Sequence, residues 1–160
     1  MAAMAADADH PHKGNLDEYK IAVKAVGADT FYKGALVYGD AANGKAQVSQ
    51  PAAGDVFLGI CAKQVVATAA DDLVEIYTGG LWALNFETPA EGDVGDVCVV
   101  NIDDAGRSDN VTDAMTGADA TLAANDILIG KILAIDTEET TRGWVLLQPG
   151  YIYSATLGWV

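Results

Sequence analysis

His10 and His12 flank Pro11, and two imidazoles at that spacing can share a metal ion if they converge. No further ligand stands near them in the sequence, so both are expected to be solvated. Asp103, Asp104, Asp109 and Asp113 could offer oxygen ligands to a calcium ion. Their spacing departs from the DxDxDG loop, and an acidic solvated loop is the expectation. The 23 acidic residues supply many conceivable acid–base pairs, and none stands out from a solvated surface. GxSxG, HExxH, P-loop and GxGxxG motifs are absent. Both histidines lie in the N-terminal arm, which keeps the commonest general base away from any folded cleft. The chain is therefore expected not to be an enzyme, and to use no cofactor or metal.

Cys61 and Cys98 lie in apolar runs and form no CxxC pair, so buried free thiols are expected rather than a disulfide. The three tryptophans are more informative, because in an alanine-rich chain they either fill the core or mark an interface. Trp82 follows the Gly79-Gly80 turn and Trp159 is next to the last residue, two places suited to a subunit contact as well as to core packing. Trp82 with Tyr77 is the one pair that could form an aromatic platform for a sugar.

The composition limits the possible functions. The net charge of −14 repels phosphate backbones and anionic membranes, so neither nucleic acid nor membrane is an expected partner. Apolar runs are far short of a membrane span. The start of the chain has no basic n-region and an early Asp7, unlike a secretory signal. A hydrophobic fraction of 51%, mostly Ala and Val, is enough to build a core in a single domain of small side chains.

Residues 1–15 form a low-complexity arm, either disordered or ordered only along a partner. Residues 16–160 read as one β domain. Leu16–Val26 alternates as a half-buried strand, with Tyr19, Ile21, Val23 and Ala25 on one face and Lys20 and Lys24 on the other. Thr30–Tyr38 reads as a second strand with a bulge at Gly34. Asn43-Gly44 signals a hairpin returning through Lys45–Ser49. Strands follow at Asp55–Cys61, Gln64–Thr68, Leu73–Thr78 and Leu81–Phe86, and a linker at Thr88–Gly92. Asp93–Asn101 resembles Lys33–Gly39. Arg107–Asn125 reads as a polar surface excursion with one short helix around Val111–Ala124, and Gly150–Val160 as a closing aromatic strand.

Gly54–Gly79 and Asn125–Gly150 align without a gap. Gly59 falls on Gly130 (130 − 59 = 71), and Asp55 on Asp126, Val74 on Val145 and Gly79 on Gly150 at the same offset. Trp144 takes the place of Leu73 and is expected in the core. The fold class expected is therefore all-β, a compact small barrel or sandwich of two similar modules (about 30–88 and 93–151).

The run from Phe31 to Leu84 resembles the capsid decoration, or cement, proteins of tailed bacteriophages. The resemblance rests on the Gly-rich strand Lys33–Asp40, the polar hairpin and the apolar strand ending in Gly59. The acidic turn and Leu73–Gly80 complete it, and the second half repeats the pattern at Asp126–Gly130 and Trp144–Gly150. It covers most of Thr30–Tyr151, and its motifs are patterns rather than fixed catalytic residues. The excursion at Arg107–Asn125 and the long arm depart from short family members. The resemblance implies a structural protein on the outer surface of the virion, made in the host cytoplasm. Its partners would be the major capsid protein and itself, as a homotrimer. Interface candidates are His10, Pro11 and His12 of the arm, Lys20 and Lys24 against a like-charged neighbour, and Trp82 and Trp159. Other virion parts (tail tube or head–tail joint) and a carbohydrate-binding β module are the alternatives.

Overall fold

The computed structural model describes residues 7, 9–48, 52, 54–86, 90–101, 111–114, 126–150, 153–154 and 158–159. Fifteen strands run through those residues, with two short 3-10 turns at Leu16–Tyr19 and Glu91–Asp93. The class is all-β, layered as a sandwich.

The first sheet joins β2 (Lys20–Lys24), β8 (Leu73–Tyr77), β6 (Val56–Cys61), β4 (Leu36–Gly39) and β5 (Ala46–Gln47), in that order. A small sheet of β3 (Asp29–Phe31) and β7 (Val65–Ala67) lies apart from it. The second large sheet holds β1 (His12–Lys13), β9 (Leu81–Phe86), β11 (Val111–Ala114), β10 (Val97–Asn101), β12 (Asp126–Ile135) and β13 (Arg142–Leu147). Its pairings return from β13 to β9. Near the C-terminus β14 (Tyr153–Ser154) pairs with β15 (Gly158–Trp159).

Alternation along the strands sends side chains into two clusters. Leu36, Tyr38, Phe57 and Ile60 of the first sheet meet Trp82, Leu84, Ile129, Ile132 and Val145 of the second. On the other face, Val37, Cys61, Val74 and Ile76 pack on Ala25, Phe31 and Ala46. Strand β4 is thus buried on both faces. Cys61 and Cys98 are buried thiols outside any disulfide, as their apolar settings imply.

One local device occurs twice. Val37 faces Gly59 and Tyr38 faces Phe57, so Leu58 is an extra residue in β6. Cys98 faces Gly130 and Val99 faces Leu128, so Ile129 is the extra residue in β12, at the same 71-residue offset. Each bulge resets the alternation, which is why Phe57 and Ile60, three apart, enter one cluster. The glycine beside each bulge lets the next strand approach closely. A Cβ on Gly59 would lie under 3.0 Å from the carbonyl oxygen of Tyr77, and one on Gly130 equally close to that of Leu146.

Several expectations need correction. The strand expected from Leu16 begins only at Lys20. Asn15 caps the preceding 3-10 turn, its side-chain oxygen accepting from the Asp17 N–H at 3.3 Å. Thr30–Tyr38 is two strands in different sheets, separated by a turn in which Gly34 has φ +85°. Val111–Ala114 is a strand between β10 and β9, where a helix was expected. The closing aromatic strand is a pair of two-residue strands. Asp103, Asp104 and Asp109 lie outside the described residues.

The hairpin at Asn43-Gly44 forms, with Gly44 at φ +70°. Behind it, the buried Asp55 carboxylate accepts from the Ala41 N–H at 2.8 Å, the Ala52 N–H at 2.6 Å and the Gln47 amide at 2.6 Å. Asp55→Ala orphans three donors, and a loss of about 2–4 kcal/mol is expected in urea unfolding. An unchanged midpoint would show that the donors find other partners.

Candidate functional site

The segment from Asp9 to Asn15 lies against the body of its own chain. Two residues of it, His12 and Lys13, pair with Trp82 and Leu81 at the edge of β9. The Ala83 N–H donates to the Pro11 carbonyl at 2.8 Å. His10 Nε2 donates to the Gly34 carbonyl at 3.0 Å. Lys33 fixes the front of the arm, its backbone N–H donating to Asp7 at 2.8 Å and its ammonium pairing with Asp9. That ion pair holds the Asp9 carboxyl below its usual range.

Between arm and body is a half-open cavity of about 360 Å³. Its apolar wall is Ile60, Tyr77 and Trp82, and its polar rim includes Asp9, Asn15, Asp17 and Lys33. The Trp82 ring stands 5.6 Å from Tyr77 and 5.1 Å from His12, centroid to centroid. The expectation that the histidines stay away from any cleft is therefore corrected: the arm folds back and brings both into the cavity lining. Nothing in the arm's own sequence shows this, because the groove that receives it is built from β9 and the turn at Gly34.

The two imidazoles do not converge on one point. His10 is bonded to Gly34, and His12 Nδ1 donates to the His10 carbonyl at 3.3 Å. Among the described residues no three His, Cys, Asp or Glu side chains are grouped to hold a metal ion. Cys61 also lines the cavity. Burial pushes its thiol up to about 11, and its sulfur donates to the Lys63 carbonyl at 3.0 Å, so it is a poor nucleophile at neutral pH.

The structure joins His10, Pro11, His12 and Trp82 in one place and leaves the other candidates elsewhere. Lys20 and Lys24 lie on β2, where they pair with Asp17 at 3.9 Å and Asp71 at 3.7 Å. Trp159 is in β15, and its side chain lies outside the described residues. Trp82 is only 4% exposed and its indole donates to the Gly79 carbonyl at 2.9 Å, so it offers no open platform for a sugar. Trp144, expected in the core, is half-buried on the outward face, with the Lys13 ammonium 4.8 Å from its ring centroid. Its counterpart Leu73 is exposed as well.

Burial pushes the His10 imidazole below its ordinary 6.5, with Asp9 and Arg142 as the charged groups acting on it. The folded ring is harder to protonate than the unfolded one, so the unfolded state binds more protons in the interval between their pKa values. The stability His10 contributes is whole above 6.5 and is lost as pH falls through the folded value. Exchange of the Ala83 amide, corrected for intrinsic rate, should accelerate as pH falls below 6.5. His10→Gln should flatten that dependence. A pH-independent Ala83 rate in the native chain would count against His10 as the arm's titrating anchor.

Among the described residues no helix is long and apolar enough to cross a membrane. Comparison with family models, with curated proteins and with solved structures found no match to this chain.

Proposed function

We propose that this chain is a capsid decoration protein, binding the outer surface of an expanded phage head as a homotrimer and stabilising it against rupture. The observation that carries this reading is the glycine-pinned bulge at Gly59 and again at Gly130. These are the strands through which the sequence resembles the decoration family. Two sheets locked on a shared core of Tyr38, Phe57, Ile60 and Ile129 make a stiff body, which suits a part that resists deformation. Many copies on one shell would turn modest single contacts into large total stabilisation.

The acidic surface would keep decorated heads apart in solution. The arm's assigned part changes: with Asp9–Lys13 already docked in cis, reaching across to a neighbour would first require undocking. Another virion component is the second reading, favoured by the same β-rich body. The carbohydrate-module reading is weakened by the buried indole of Trp82.

The test is to add the purified chain to expanded heads lacking it and to unexpanded heads. Saturable binding to expanded heads alone, with a higher rupture temperature, is expected. Absence of binding to either form would overturn the proposal.

A further inference from the structure

One row of side chains crosses four strands of the second sheet on its outward face. Lys131 of β12 faces Leu146 of β13, Leu146 faces Leu81 of β9, and Leu81 faces Lys13 of β1. Trp144 and Ala83 form the next row. The opposite face of these strands carries Trp82, Ile132 and Val145 into the core, so this face is the one left outward. Leu146 is 41% exposed, and Leu133, at the second irregularity of β12, is 46% exposed. An apolar strip thus runs between two lysines about 14 Å apart, three strand spacings.

These two lysines differ from the others described. Lys20, Lys24, Lys33, Lys45 and Lys63 are each paired with a carboxylate, as is Arg142. Lys13 and Lys131 have no carboxylate within 4.0 Å among the described residues, and Lys13 meets only the Trp144 ring. In a chain of net charge −14, this is a face that an acidic surface approaches favourably.

We infer that the Lys131–Leu146–Leu81–Lys13 row is a docking surface for a second copy of this chain, engaged head to tail. Charge complementarity names the occupant: the chain's own surface supplies exposed carboxylates with no cation beside them among the described residues, such as Glu91 and Glu138. A two-fold contact centred on this row would set lysine against lysine, which disfavours it. A heterologous contact remains, and with suitable rotation it closes into a ring. This identifies the interface for the self-association in the reading above, but it is tested on the free protein without any shell.

Sedimentation velocity and native mass spectrometry of the full chain, at low and raised salt, test it. A ring of fixed copy number is expected at low salt, loosening as salt rises. Lys131→Glu and Leu146→Asp should each weaken association by about tenfold or more. Lys20→Glu with Lys24→Glu, a charge change on β2, should leave it within about twofold. Thermal melts confirm that each variant is folded, and Lys131→Glu breaks no ion pair among the described residues. A monomer at every concentration up to about 0.1 mM overturns the inference. So does a two-fold dimer, or association indifferent to Lys131→Glu and Leu146→Asp. If association fails while expanded heads still bind the chain, the interface is wrong and the decoration reading stands; the reverse outcome leaves the interface and removes that reading.

Discussion

Gly59→Ala and Gly130→Ala are each expected to lower stability by about 3–4 kcal/mol, beyond the usual range for overpacking. The new methyl would meet a backbone carbonyl, Tyr77 in one case and Leu146 in the other. A flexible side chain could turn away, but a carbonyl held in a sheet cannot move without breaking its ladder. For a chain of this size the loss corresponds to about 10 °C in melting temperature. Gly27→Ala is the control, since its Cβ would meet nothing within 4 Å. Both variants should fall because the bulge and the facing strand recur at both sites, and Gly59→Ala by the larger amount because Gly59 also has φ +157°. A neutral Gly130→Ala beside a damaging Gly59→Ala would show that the second copy is loose enough to give way.

Trp82→Ala is the second large effect, with about 3–5 kcal/mol expected from the lost burial and the cavity left behind. Trp82 joins three parts of the molecule. It packs in the core between the sheets, its indole bonds Gly79, and its backbone receives His12 of the arm. Trp82→Phe keeps most of the apolar contact but loses the N–H donor, so about 1–2 kcal/mol is expected from the orphaned carbonyl and the smaller ring. The arm supplies a second readout. Cleavage by trypsin after Lys13 should be faster in Trp82→Ala than in Trp82→Phe when both are folded. Equal, slow cleavage in both would mean the arm is held by Lys33 and Gly34 alone.

These two sites also mark what the sequence could show. Leu73–Tyr77 was legible because burial alternates along it, whereas in Leu81–Phe86 the consecutive Trp82, Ala83 and Leu84 are all buried. The repeated glycine was visible as an alignment, and its physical cause, a close backbone approach beside a bulge, needed the facing strand. Leu16–Tyr19 misled because a capped 3-10 turn can share the polar and apolar spacing of a strand. Val111–Ala114 sits between two strands far away in sequence, and such pairing leaves no local mark in a Ser/Asp/Thr-rich stretch.

The candidate site was harder to read for a similar reason. Arm residues His10, Pro11 and His12 stood out by composition, but their destination depends on β9 and on the turn at Gly34. Lys20 and Lys24 looked available to a partner because sequence shows a charge and not its neighbour; Asp17 and Asp71 already occupy them. Lys13 and Lys131, unremarkable in the sequence, are the ones left facing outward.

The most direct test of the decoration reading is the copy number of this chain in purified particles of a phage whose genome is found to carry its sequence, measured by mass spectrometry against the major shell protein. The account predicts a ratio near one, with heads that survive loss of the chain but rupture at lower temperature. A ratio of a few per cent, or complete absence from the particles, would contradict it.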